Sequence, residues 1–394
     1  MITRLHTELI LSRLAKFPAV AILGPRQCGK TTLARQLGGL YYDLEQQGTE
    51  TLLDARWNEL KDGTERITLD EAQVCPSLFP RLRGAIDEDR KRTGRFLLLG
   101  SVSPALIKSI SESLAGRLAI VELSAFVLPE LPSSHIDDLW LYGGYPEGGI
   151  LDSDMFGPWQ DAYLKLLIQR DLPEWGLPAK IGITERLVRM LAANHGQLLN
   201  ASQIGSSLGL DGKTITRYCD YLAGAFLIRR LQPYFTNIKK RIVKSSKCYW
   251  RDSGLLHSLA GVKNLDNLLS QPYAGHSWEG FVIEQILSTL SATGNEPQAH
   301  FFRTSDGHEI DLVLDWGTQR WAIEIKLTSD PSPDMAKQFN KTADLIDANR
   351  RFLICRVSEP FGNDKLVVTP LNEYLKTLHH SIARVCGESK SRKT

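Results

Sequence analysis

Five short apolar runs mark the first third of the chain, at 19–23, 41–44, 66–69, 96–99 and 119–123, each separated from the next by a stretch long enough for a helix. Runs so short and so uniformly apolar predict strands buried on both faces, and their alternation with helix-length segments predicts a parallel α/β sheet. The pattern changes after residue 200. Residues 200–209 predict a short helix closed by Gly209, Asp211 caps a second helix running to about residue 222, and 224–231 turns to strand character. Farther on, 301–304, 309–314 and 320–326 alternate charged and apolar positions, the mark of half-buried strands. A helix is predicted before them around 277–284, another at 337–348, and a further strand at 352–357.

A chain of 394 residues exceeds what one core organises. Three units are expected: 1–160, a parallel-sheet domain; 161–250, an α-helical segment; and 251–394, a second α/β domain. The apolar and charged fractions, 42% and 23%, exclude global disorder. With a net charge of +2, nucleic-acid affinity would have to come from a local patch. No run of about 18 apolar residues predicts a membrane span. The six cysteines are scattered without a C-x-x-C pair or a secretory leader, which predicts reduced thiols and a cytoplasmic location.

The first apolar run leads directly into Gly24-Pro25-Arg26-Gln27-Cys28-Gly29-Lys30-Thr31-Thr32, followed by helix-forming residues. Strand, glycine-flanked loop, lysine and helix in this order are what a phosphate-binding P-loop requires. Gly24 and Gly29 let successive N–H groups converge on one anion, and the helix start adds partial positive charge. Lys30 would reach the β- and γ-phosphates of ATP, and the Thr31 hydroxyl would ligate Mg²⁺. The third run ends in Asp70-Glu71. Asp70 would hold the metal and Glu71 would polarise the attacking water. Ser101, at the end of the fourth run, is placed to sense the γ-phosphate or to orient the water. Ligands of parallel sheets gather at these carboxyl ends.

These residues, with Leu69-Asp70-Glu71-Ala72-Gln73, Leu99-Gly100-Ser101, Leu114-Ala115-Gly116-Arg117 and Gly143-Gly144-Tyr145-Pro146-Glu147, resemble a family of prokaryotic AAA-type ATPases with a C-terminal domain of uncharacterised function. The resemblance implies a P-loop fold with a strand inserted between the two nucleotide-binding strands, a place that 41–44 would fill. Members often carry an aliphatic residue where Cys28 stands, and a thiol fits the same space. Hydrolysis of this type uses an arginine on the transferred phosphoryl group, often from a neighbouring subunit of a homo-oligomer. Arg117 and Arg170 are the candidates, each of which could equally serve a structural ion pair.

The helix–turn–helix–strand order after residue 200 looks like a winged helix. In a DNA-binding reading, Lys213, Thr214, Thr216 and Arg217 would face the major groove. From Arg229 to Lys247 there are seven basic residues and no acidic one, with Tyr234, Phe235, Tyr249 and Trp250 interleaved or adjacent. Such a segment suits phosphate contacts and base stacking, although similar modules also act as lids on AAA-type nucleotide domains.

In the last domain, residues two apart share a strand face, so Glu309 pairs with Asp311 and Glu324 with Lys326, while Ile310, Ile323 and Ile325 are expected to pack on the other side. The acid at Asp311 and the sequence Glu324-Ile325-Lys326 resemble the PD-(D/E)XK nuclease-like fold. That resemblance implies Mg²⁺ held by Asp311 and Glu324, with Glu279 as an extra ligand and Lys326 orienting water. Two functions therefore stand open: an ATPase controlling a nucleic-acid-processing domain, or an ATP-switched DNA- or protein-binding module whose nuclease-like domain is inactive.

Overall fold

The computed structural model describes residues 2–101, 112–235 and 242–378. Its first sheet contains β1 (Ala19–Gly24), β2 (Leu40–Asp43), β3 (Ile67–Asp70), β4 (Phe96–Ser101) and β5 (Leu118–Glu122), in the order β2-β3-β4-β1-β5 with every pair parallel. Every residue of β1 is buried because the strand is central and covered on both faces. Ala19, Ala21 and Leu23 face one core with Leu69, Phe79 and Phe96, whereas Val20 and Ile22 face the other with Leu33, Leu97 and Val121. The strand between β1 and β3 is β4. The expectation that 41–44 fills that place is corrected: β2 is the edge strand, since its in-register partner is β3 alone (Leu40 opposite Ile67, Asp43 opposite Asp70).

Among the described residues, no strand after β5 joins this sheet. Helix Ile136–Tyr142 already packs into a core around Trp278, with Trp140 edge-on to that ring at 5.1 Å. The boundary expected at residue 160 thus falls well past the last strand of the first sheet.

Next come helix Ile181–Ala193, β6 (Gln197–Leu198), helices Ala201–Leu208 and Gly212–Gly224, then β7 (Ile228–Pro233) and β8 (Lys247–Trp250). Asn200 and Asp211 cap the second and third helices through their side chains, at Gln203 N and Thr214 N. The other strands are β9 (Gln298–Arg303), β10 (Glu309–Asp315), β11 (Arg320–Ile325), β12 (Arg350–Ile354), β13 (Phe361–Gly362) and β14 (Leu366–Thr369). Strand β7 pairs with both β8 and β9, so all nine form one sheet in the order β13-β14-β12-β11-β10-β9-β7-β8-β6. The boundary expected at 250 cuts through this continuous sheet. The 20-residue helix Ala274–Thr293 lies against it and is buried nearly all round, which is why it shows so little amphipathic contrast.

A register shift between Ile310 and Val313 marks a bulge in β10. One extra residue inverts the alternation. Ile310 therefore packs with Val313, Ala322 and Phe339, whereas Ile323 and Ile325 join Leu312 and Trp278 on the opposite side. The expectation that the three isoleucines share a face is corrected on that ground.

The helix Ala274–Thr293 also ties the two sheets together. Glu284 receives Arg229 and Arg251 at 2.7 Å each, and Arg251 reaches back to Glu122 at the end of β5 at 2.6 Å. Gln285 accepts the Leu128 N–H at 2.7 Å. Burial alone would raise the Glu284 pKa, but the two guanidinium groups outweigh it and draw the group down from 4.5 to about 2. A carboxylate with a depressed folded-state pKa stabilises in full above its unfolded value and loses that contribution as pH falls toward the folded one. The thermal midpoint is accordingly expected to fall as pH drops from 4.5 toward 2, and Glu284→Gln should flatten that part of a midpoint-against-pH curve. Parallel curves for the two proteins would contradict this.

Candidate functional site

The loop between β1 and helix Lys30–Gln36 curls at two residues with positive φ, Gln27 at 59° and Gly29 at 96°. Gly24 leaves no room for a side chain, since a Cβ there would collide with the Leu123 carbonyl oxygen. Cys28 is fully buried beneath the loop and points at that same carbonyl. Lys30 is buried and folds back, donating from Nζ to the carbonyls of Gly24 at 3.1 Å and Pro25 at 2.8 Å. Arg4 was not anticipated from the sequence. It donates to Cys28 O and to Ser124 O, both at 2.7 Å, and pairs with Glu130 at 2.9 Å, so it clamps the loop from beneath.

At the neighbouring strand ends the expected residues meet. The Thr31 hydroxyl and the Tyr41 hydroxyl both donate to Asp70 Oδ2 at 2.6 Å, and Glu71 N donates to Asp70 Oδ1 at 2.9 Å. Asp70 is 4% exposed. A buried carboxylate beside a threonine hydroxyl is a donor set that fits a hard cation such as Mg²⁺. Glu71 stands in the left-handed region, φ 50°, and its carboxylate accepts from the Gln73 amide. The backbone of Ser101 lies opposite Gly24 in the β1–β4 register, at the same edge. Lys30, Thr31 and Glu71 line a cleft of about 660 Å³ together with Trp159 and Tyr163, whose rings stack at 5.0 Å.

The two candidate arginines separate. Arg117 precedes β5 at the opposite edge of the sheet and is held by Asp87 through two contacts of 2.8 Å, away from its own chain's loop. Arg170 bonds Asp171 Oδ1 at 3.0 Å, and Asp171 lines the cleft.

The acidic cluster of the last domain is assembled, but with an unforeseen member. Lys247, 2% exposed, lies 2.9 Å from Glu279, 2.6 Å from Glu309 and 3.8 Å from Asp311. Burial would lower its pKa; Glu279 foremost among its neighbours raises it instead, so the ammonium stays charged. Lys326 lies 2.6 Å from Glu324 and 3.5 Å from Asp311, and Asp311 also accepts the Ile325 N–H at 2.9 Å. Burial and then Asp311 hold the Glu324 carboxyl above the usual carboxylate range. Among the described residues, no group of three or more histidine, cysteine or acidic side chains is arranged to hold a metal ion. The buried ammonium of Lys247 sits where Glu279, Glu309 and Asp311 converge, whereas Glu324 is paired with Lys326.

The basic segment also differs from the expected nucleic-acid face. Lys247 is internal, within the acidic cluster, and Arg229 and Arg230 are half-buried and paired with Glu284 and Asp220. Lys239, Lys240 and Arg241 lie outside the described residues, and Lys244 is exposed. Tyr249 and Trp250 are core residues rather than stacking platforms. On helix Gly212–Gly224, Lys213 and Arg217 are exposed and Thr214 and Thr216 half-buried. Cys28, Cys75, Cys219, Cys248 and Cys355 are free and buried, and no described helix is long and apolar enough to cross a membrane.

A parallel α/β sheet whose carboxyl edge joins a glycine-flanked lysine to an Asp-Glu pair defines a P-loop ATPase-like domain, and an AAA-domain model matches residues 16–131. Two domains of unknown function follow, DUF8612 at 133–266 and DUF4143 at 274–374. The chain belongs to the family of an uncharacterized protein of Mycobacterium tuberculosis, Rv2008c, to which it is 40% identical over 324 residues, 81% of this chain and 72% of that protein. A Mycobacterium bovis protein, Mb2031c, matches with the same figures, and an uncharacterized Haemophilus influenzae protein is 24% identical over 61% of this chain and 69% of its own length. Among solved structures, the Walker-type ATPase PABY2304 of Pyrococcus abyssi is similar over 65% of this chain and 94% of its own, at 15% identity and a TM-score of 0.44.

Proposed function

We propose that the protein is an ATP-hydrolysing switch whose nucleotide state controls a non-cleaving, DNA-binding remainder of the chain. The Thr31–Asp70–Glu71 constellation carries the first half. In the proposed reaction a water oxygen forms a bond to the γ-phosphorus while the bond to the bridging oxygen breaks. That bond's electron pair leaves with ADP, and the proton of the water passes to Glu71. Lys30 exchanges its carbonyl partners for phosphate oxygens. Thr31 and Asp70 would hold Mg²⁺, whose chemistry when bound is neutralisation of phosphate charge.

The second half is supported by Lys247 in the acidic cluster, which favours the inactive form of the nuclease-like reading. The path Glu122–Arg251–Glu284 gives the first sheet a direct hold on the helix beneath the second. The helix Gly212–Gly224 is the proposed DNA-contacting element, because its Lys213 and Arg217 are exposed whereas much of the expected basic segment is internally paired. Supercoiled plasmid incubated with protein, Mg²⁺ and ATP is expected to be retarded but not nicked. Lys213→Glu with Arg217→Glu should weaken retention and flatten its logarithmic salt dependence by roughly two. Nicking by wild type that disappears in Asp311→Ala would overturn the non-cleaving reading. Retention unchanged in the double variant would overturn the assignment of the helix.

A further inference from the structure

Arg26, inside the loop itself, is held in an arrangement that leaves polar atoms without partners. Its guanidinium shares the cleft with Lys30, Thr31 and Glu71. Nη1 lies 3.2 Å from Asp171 Oδ2 and Nη2 3.6 Å from Glu45. Yet Arg26 Nε and Asp171 Oδ2 are both buried without an aligned hydrogen-bond partner among the described residues. Buried polar groups are nearly always satisfied, so the unpartnered Nε–H of an arginine lining the cleft calls for an acceptor. A phosphate oxygen is an acceptor of the right charge, and a guanidinium presents its N–H groups as a fork matched to it.

Asp171 is built to release this arginine. Its other oxygen, Oδ1, takes Arg170 Nε at 3.0 Å. The carboxylate is 1% exposed, and a buried carboxylate stripped of every cation is strongly disfavoured. With Arg170 retained, Arg26 can leave without stranding it. Asp171 closes a π-helical turn, Leu167–Asp171, a rare local winding that often marks functional sites. Glu45 is half-exposed, and its contact with Arg26 is loose.

We propose, on the ATPase reading above, that Arg26 is a catalytic arginine supplied in cis: it moves from Asp171 to the γ-phosphate and stabilises the charge on the transferred phosphoryl group. Arg170 is then the group that keeps Asp171 paired when Arg26 departs, not the finger, and Asp171 is a positioning residue that competes with the γ-phosphate for Arg26. The bonds made and broken are those of the hydrolysis already described; Arg26 contributes charge and hydrogen bonds and no proton.

The test measures ADP binding, ATP binding, turnover and trapping of ADP with aluminium fluoride on the full chain. Arg26→Ala and Arg26→Lys are expected to bind ADP within about threefold of wild type, to lose turnover by roughly 100-fold or more, and to fail to trap the ADP–aluminium fluoride complex. Asp171→Asn is expected to tighten ATP severalfold while leaving ADP unchanged, a split that a purely structural residue would not produce. Trapping and turnover at wild-type levels in Arg26→Ala would overturn the proposal, as would equal shifts for ATP and ADP in Asp171→Asn. No binding of ADP or ATP by folded wild-type protein would instead overturn the nucleotide reading on which the proposal rests.

Discussion

Glu71→Gln is expected to leave ATP bound and almost unhydrolysed. The two side chains are nearly isosteric, so the fold at the end of β3 should be kept. What is lost is a carboxylate able to accept the proton of water, and a positioned general base is worth about 10² to 10⁴ in rate. The backbone supports assigning that base to Glu71. A non-glycine residue at φ 50° is uncommon and costs free energy, and it persists here because Asp70 Oδ1 captures Glu71 N and Gln73 holds the side chain. The strained turn thus fixes Glu71 at the wall of the cleft, with Asp70 buried behind it. Phosphate release and binding of a fluorescent ATP analogue, measured on the same preparation, separate the effects. Lys30→Ala should weaken both, because Lys30 would contact phosphate in the ground state as well as during transfer. Turnover of Glu71→Gln within twofold of wild type would remove Glu71 from its role.

Lys247→Met should cost about 3–5 kcal/mol of stability, the range for breaking one partner out of a buried ion cluster. The methionine fits the volume, so the loss is electrostatic. Without the ammonium, Glu279 and Glu309 lose their nearest cation, and the more distant Arg303, 3.5 Å from Glu309, and Lys326, 3.5 Å from Asp311, remain. Tyr249 donates to Glu279 as well, and that contact alone cannot compensate a charge. Denaturant titration checks the magnitude, with Lys326→Met as the comparison. Lys326 is 36% exposed at its side chain, against 3% for Lys247, so solvent screens its ion pairs and its loss should cost distinctly less. Adding Glu279→Gln to Lys247→Met should recover part of the loss. Equal denaturation midpoints for wild type and Lys247→Met would show that the ammonium does not hold the cluster together.

The candidate nucleotide site was legible in the chain because it is local. A strand, a curled loop and a helix within 18 residues are specified by glycine placement and apolar runs, and Asp70-Glu71 announces itself by ending another such run. The inserted strand was misplaced because short parallel strands carry no mark of their spatial order, which follows from how helices pack back onto the sheet. Lys247 illustrates the complementary failure. Seven basic residues in sequence suggested a face turned to solvent, but the full burial of β8 turns Lys247 inward, and Arg229 and Arg230 on β7 are half-buried against acids on other elements. A lysine opening the buried strand Lys247-Cys248-Tyr249-Trp250 was the one available hint, since so apolar and aromatic a strand leaves little room for an exposed ammonium.

By itself the sequence determined which segments become strands, which loop can wrap an anion and which acids stand at strand ends, because backbone conformation and burial periodicity are settled over a few residues. Only the tertiary structure decided which charges meet. Arg4 beneath the loop, Asp171 against Arg26, and Lys247 among Glu279, Glu309 and Asp311 are brought together across tens of residues or more. Buried ions are stabilised by whichever opposite charge the packing delivers, and that partner has no address in the local pattern.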